Sequence, residues 1–235
     1  MSENVNTAGI DTLLLTKADI WGARAAEIAR RHFPDVETMT GMPDAVAERT
    51  AASVRRRGVG PRLISFIYGH VLPAAALQRA SLAINFHPGS RAYPGTGCYN
   101  FALYDGASEY GCVCHHMAAK VDSGAIVAER TFPVRADDTV ESLRMRTLDE
   151  MLNLLDMVLA RLVRDGTPGA SSLAWQRRPF TRCELDELCR VTPDMTADEV
   201  RRRVRATTYP GYPGAYLDLH GIRFVAEGTA ARPAA

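Results

Sequence analysis

The stretch Ser81-Leu82-Ala83-Ile84-Asn85-Phe86-His87-Pro88-Gly89 decides how the chain is read. Ser81 to Ile84 has the apolar character of a short strand leaving a core, and Asn85 to Gly89 follows where a buried strand becomes a loop. Asn85 and His87 are two apart, so in extended backbone their side chains leave the same face. Downstream, Gly111 to Met117 predicts another strand, and Val121-Asp122-Ser123-Gly124-Ala125-Ile126 turns from a loop into a third. An amide, an imidazole and a carboxylate at junctions of strand and loop suit acyl transfer: one donor for an oxyanion, one proton shuttle, one partner to tune it.

Outward from this stretch, strands and helices alternate. Thr12 to Thr16 is an apolar run of strand length, and Ala18 to His32 repeats Ile20, Ala23 and Ala26 on helical spacing. Val36 to Met39 predicts a second strand, Asp44 to Arg57 a helix, Leu63 to Ile67 a buried strand and Asn100 to Tyr104 a short helix. Asp138-x-x-Glu141 reads as a capping box opening a helix with Val140, Leu143, Leu148, Met151, Val158 and Leu162 on one stripe, closed by Gly166. The expectation is an α/β fold: a Rossmann-like, mainly parallel sheet with helices on both faces and an active site beyond the carboxyl ends of the strands. The first strand-helix turn, Lys17 to Gly22, carries no glycine-rich phosphate loop, which disfavours a dinucleotide or nucleoside triphosphate bound in that way.

Composition changes at Thr167, where Pro168, Gly169, Ser171 and Ser172 form a linker. The predicted organisation is a disordered start over 1–10, a catalytic domain over 11–166, a short C-terminal helical and hairpin extension over 167–227, and a disordered tail over 228–235. Within the extension, Glu184 to Cys189 and Ala197 to Ala206 read as helices, and one hairpin fits across His220-Gly221.

The balance of 28 basic against 27 acidic side chains, net +1 over 235 residues, favours neither nucleic acid nor a membrane surface as partner. No run approaches the ~18 apolar residues of a membrane span, and Met1-Ser2-Glu3-Asn4 lacks a secretory start, so a cytoplasmic location is expected. Five cysteines, an odd number, argue for reduced thiols over a disulfide framework. Cys112, Cys114 and His116 alternate on one strand beside His115, but this order crowds its ligands and lacks the separated pairs of structural zinc sites. Buried thiols and a structural His116 are the reading, and no metal is expected. The run Arg55-Arg56-Arg57 reads as a solvated helix end complementing its own dipole.

Asn85-x-His87 and, 35 residues later, Asp122-x-Gly124-x-Ile126 resemble the signature of the formyltransferases that use 10-formyltetrahydrofolate. His115-x-Met117 resembles the family's intervening strand, although Val113 stands where Thr is usual. That family includes glycinamide ribonucleotide and methionyl-tRNA formyltransferases and the enzymes that formylate amino sugars. The resemblance implies 10-formyltetrahydrofolate as co-substrate, with Asn85, His87 and Asp122 catalytic. It implies a folate pocket from Phe66, Ile67, Tyr68 and Gly69, with His70 alongside, together with His115, Met117 and Val121. It places Tyr93 and Gly95 on the acceptor side, and Arg177, by its place near the sheet edge, and Tyr212 are further candidates for contacting the acceptor, with surface exposure the alternative for Arg177. Tyr209-Pro210-Gly211-Tyr212-Pro213-Gly214-Ala215 is similar to the segment that begins the C-terminal region of sugar and tRNA formyltransferases. The expected length leaves no room for a full tRNA-binding barrel or an extra regulatory domain, and the missing phosphate loop disfavours a purine-pathway enzyme. A small-molecule amine, on a nucleotide-linked amino sugar, is therefore the expected acceptor, and a homodimer is compatible. The alternatives are a natural-product amine such as N-hydroxyornithine, or a non-catalytic folate-binding protein.

Overall fold

The computed structural model describes residues 10–227, so the expected loose start, apart from Ile10, and the expected tail 228–235 lie outside the described residues. The chain runs β1 (Thr12–Leu15), α1 (Ile20–His32), β2 (Glu37–Met39), α2 (Pro43–Arg57), β3 (Arg62–Phe66), α3 (Ala74–Arg79), β4 (Leu82–His87) and α4 (Cys98–Tyr104). It continues through β5 (Glu109–His116), β6 (Ile126–Pro133), α5 (Val140–Asp165), α6 (Arg182–Cys189), β7 (Arg190–Val191), α7 (Ala197–Thr207), β8 (Tyr216–Leu219) and β9 (Ile222–Val225). The main sheet has the order β2-β1-β3-β4-β5-β6. Its first four strands are parallel, and β5 and β6 run antiparallel to their neighbours. The mainly parallel α/β sheet with helices on both faces is thus as expected.

Alternation along the strands sorts the two faces. Leu14, Ile64, Ile84, Phe86, Cys112 and Cys114 point into a core completed by α1 and by the apolar stripe of α5. Leu13, Leu15 and Leu63 point the other way, onto Val46 of α2 and Leu72. Ser65, Asn85 and His87 share the parity of Leu63, so they leave on this second face, at the last turns of β3 and β4. The loops after β3, β4 and β5 meet there.

Four local expectations change. Asn85 and His87 are the final residues of β4 and not of a loop; the loop starts at Pro88, which cannot donate to the ladder. Helix α5 is capped by Thr139, whose hydroxyl accepts from Ser142 N at 3.1 Å while Ser142 Oγ accepts from Thr139 N at 3.0 Å. The predicted Asp138-x-x-Glu141 box sits one residue early, because Asp138 accepts from Arg135 N and pairs with Arg146. Arg56 and Arg57 are not simply solvated: with Arg49 and Ser53 they close on Asp11 and fasten α2 to the start of β1. Finally, α3 and the two-residue strand β7, which pairs in parallel with β8, carry no period long enough to read.

Residues beyond Gly166 fold back onto the sheet end. Phe180, Leu188 and Ala206 join Tyr93, Phe101, Tyr110 and Leu143 in a second core. Phe180 stacks on Phe101 at 3.7 Å between centroids and lies parallel to Tyr93 at 6.4 Å. The hairpin of β8 and β9 turns at His220-Gly221, both at positive φ, as a tight hairpin turn requires. Among the described residues no helix is long and apolar enough to cross a membrane.

Candidate active site

Four side chains converge at the ends of β4 and β5. Asn85 and His115 are directly opposite in the antiparallel pairing, and the amide Nδ2 of Asn85 lies 3.1 Å from His115 Nε2. Nδ1 of His115 donates to the carbonyl of His116 at 2.8 Å, which leaves Nε2 facing the site. His87 donates from Nε2 to the carbonyl of Tyr93 at 3.0 Å, and its Nδ1 lies 3.2 Å from Asp122 Oδ2. Both His87 ring nitrogens therefore face oxygen atoms, which fixes the orientation of the ring.

Asp122 is the hub. Its Oδ1 lies 3.2 Å from His115 Nε2, and Oδ2 also accepts from Gly95 N at 2.9 Å. Burial pushes this carboxyl up, but the charge of His87, the hydrogen bond and charge of His115 and the Gly95 N–H outweigh it and lower it from 3.8 to about 2. Asp122 therefore stays a carboxylate, anchored between two imidazoles. Asp122 and Ile67 both hold positive φ, 46° and 49°, and among the described residues only His220 of the hairpin turn is another non-glycine case. Such backbone costs about 1–2 kcal/mol per residue, and its concentration here marks a site held in place by its surroundings.

These groups line a cavity of about 650 Å³. Of the residues expected around the folate, Ile67, Tyr68, Gly69, His115, Met117 and Val121 are on its wall, with His70. Phe66 is not: the parity of β3 turns its ring into the core, 6.3 Å from Phe86. Gly95 reaches the wall, and its N–H is already given to Asp122. Tyr93, Arg177 and Tyr212 lie outside the wall. The Tyr93 ring is buried against Phe180 and Tyr110, Arg177 stacks on Phe180 at 3.2 Å, and Tyr212 is 70% exposed beside Tyr209. A neighbouring cavity of about 360 Å³ shares Lys17, Tyr68, Gly69 and His70 with the first and reaches Thr16 and Thr40 at the ends of β1 and β2.

The wall also holds residues that motif reading passed over. Lys17, Lys120 and Arg144 line the main cavity, where Asp122 is the sole carboxylate among the described residues. Arg144 has no ion pair among the described residues, whereas Arg146 and Arg164 on the same helix are paired with Asp138 and Asp165. The cavity is therefore positive although the chain is nearly neutral. Lys17 and Arg144 had no pattern around them to single them out. Cys112 and Cys114, by contrast, are buried under α5, and burial pushes the Cys112 thiol up to about 12.

Residues 10–159 match the family described as Formyl transferase, about two thirds of the chain. The chain belongs to the formyl transferase family. A GDP-perosamine N-formyltransferase of Brucella melitensis is 29% identical over 161 residues, covering 68% of this chain and 61% of the relative. The chain thus spans about three fifths of that relative's length. Among solved structures, a sugar N-formyltransferase from a Shewanella species superposes with a TM-score of 0.73 at 17% identity, covering 92% of this chain and 96% of the other. HypX from Aquifex aeolicus in complex with tetrahydrofolic acid gives 0.67 at 19% identity, over 92% of this chain and 37% of that one. At these identities the two structures speak for the fold. The family match ends before residue 167, so the segment that folds back over the site lies outside it.

Proposed function

We propose that this formyl transferase moves a formyl group from 10-formyltetrahydrofolate to the primary amine of a nucleotide-linked amino sugar. The observation that carries the reading is the cluster of Asn85, His87, His115 and Asp122 on the wall of a positive cavity. The amine nitrogen attacks the formyl carbon, the carbonyl oxygen becomes an oxyanion, and collapse breaks the bond from that carbon to N10 of the folate. One proton leaves the amine and one arrives at N10. Asn85 supplies an amide donor to the oxyanion, a preorganised interaction whose loss elsewhere costs about 10²- to 10³-fold in kcat. His87 carries the proton, and Asp122 orients its ring while holding His115 in register with Asn85.

The donor assignment is supported by the family and by the tetrahydrofolic acid bound to the HypX relative. The wall of Ile67, Tyr68, Gly69, Met117 and Val121 offers an apolar slot with backbone groups for a flat heterocycle. The acceptor assignment is supported by the sugar specificity named for the Brucella and Shewanella relatives and by Arg144, which has no ion pair among the described residues and offers two parallel N–H groups to a phosphate. The cysteines are free among the described residues, which suits the reducing cytoplasm as the proposed location.

The test is release of tetrahydrofolate from 10-formyltetrahydrofolate with GDP-perosamine, other nucleotide-linked amino sugars or N-hydroxyornithine, in wild type, His87→Ala and Arg144→Met. Expected is amine-dependent release that is lost in His87→Ala. In Arg144→Met the KM for the nucleotide-linked sugar rises about tenfold or more while the KM for the folate holds. Release supported only by N-hydroxyornithine would move the acceptor to natural-product amines, and no folate binding would remove the donor assignment.

A further inference from the structure

Trp175 stands just after the linker of Pro168 to Ser172, at a position to which sequence patterning gave no role, yet it touches both histidines of the cluster. Its ring lies edge-to-face with His115 at 5.3 Å and with His87 at 6.0 Å between centroids. It is half-buried, and it does not line the cavity although both histidines do, so it meets them from behind. Its indole Nε1 donates to the carbonyl of Gly124 at 2.8 Å, two residues beyond Asp122.

The segment around it is stitched at both ends. Ser171 Oγ donates to the carbonyl of Ile126 at 2.6 Å, on the far side of the Asp122 loop. Gln176 N donates to Arg91 O at 3.0 Å, Phe180 N to Pro94 O at 2.8 Å, and Thr96 N to Phe180 O at 3.0 Å, which fastens it to the loop that bears Gly95. Residues 171–180 therefore tie the loop carrying Asp122 to the loop carrying its Gly95 donor. Gly124 itself lies so close to His116 that an added Cβ would fall 1.8 Å from the His116 carbonyl oxygen. That carbonyl is the group that accepts from His115 Nδ1. The indole bond thus anchors the glycine that packs against the carbonyl partner of His115 Nδ1.

We propose that Trp175 is a positioning residue for formyl transfer: it backs His87 and His115 and pins the Asp122 loop through Gly124, so that the carboxylate stays bridged between the two imidazoles. This rests on the reaction assigned above for its kinetic consequence and on geometry alone for its hold on the loop. A residue behind the site should set how fast the bound complex reacts and not how tightly it forms.

The test compares wild type, Trp175→Phe, which keeps a ring but loses the N–H, and Trp175→Ala. Amide hydrogen exchange is followed by mass spectrometry in peptides covering 117–125, with α2 peptides as the reference for an intact fold. Exchange in 117–125 should rise about 3- to 10-fold in Trp175→Phe, the worth of one hydrogen bond, and further in Trp175→Ala, with α2 unchanged. In Trp175→Ala, kcat should fall at least about tenfold while both KM values stay within about twofold. Unchanged loop exchange, unchanged kcat, or a rise in KM at constant kcat would each overturn the proposal. If the wild type transfers no formyl group to any amine, the reaction assignment falls instead, and the exchange comparison alone decides whether Trp175 holds the loop.

Discussion

Asp122 concentrates the electrostatics of the site in one carboxylate. Its folded pKa of about 2 lies below the ordinary 3.8, so in the folded state it binds a proton less readily than in the unfolded chain. The stability it contributes, about 2 kcal/mol for a shift of this size, is complete above the unfolded value and drains as pH falls toward 2. Asp11 acts in the same direction: burial raises it, but Ser53, Arg57 and Arg49 together lower it to about 2. Scanning calorimetry should therefore show wild-type Tm falling steeply below about pH 4, with the gap between wild type and Asp122→Asn closing as pH approaches about 2. A gap that stays constant with pH would mean that the carboxylate is not held by the imidazoles. Asn85→Ala should lower kcat about 10²- to 10³-fold with little change in Tm, read by steady-state kinetics and thermal melts on the same samples. A Tm loss as large as that of a core truncation would show that Asn85 serves the fold.

At the scale of elements, the end of β4 was legible in part. The alternation of Ile84 and Phe86 against Asn85 and His87 places the polar pair on one face, and the structure puts them there. What misled was polarity: a strand end that faces a cavity carries the same residues as a loop. Phe66 shows the converse, since its place in the motif implied a pocket residue while the parity of β3 sends the ring into the core. The Gly95 loop is a tertiary feature. Gly95 sits at φ 88°, and an added Cβ would fall 2.4 Å from the Phe180 carbonyl oxygen and 2.6 Å from its nitrogen. Gly95→Ala should cost about 3 kcal/mol from strain and overpacking, a Tm drop of about 6–12 °C at this chain length. Because the same residue donates to Asp122, kcat should fall with it, whereas a melt and a rate close to wild type would show that the loop can move aside.

At the scale of the whole molecule, the segment after Gly166 closes the second core and carries the strap across the histidines. Phe180 joins them, stacked on Phe101 and hydrogen-bonded through its backbone to Pro94 and Thr96. Phe180→Ala should cost about 3–5 kcal/mol and loosen the Gly95 loop, so that turnover drops together with Tm; full activity at working temperature would mean that the catalytic loops hold without this contact. From the sequence alone came the alternating α/β order, the sheet strands, the hairpin at His220-Gly221 and the family signature in Asn85, His87 and Asp122, because periodicity and motif spacing are local properties of the chain. Only the tertiary structure decided that Asp122 bridges two histidines, that Arg144 and Lys17 make the cavity positive and that Trp175 stands behind the cluster. Those contacts join residues tens of positions apart, and no periodicity records which distant loops will meet when a sheet end is left uncovered.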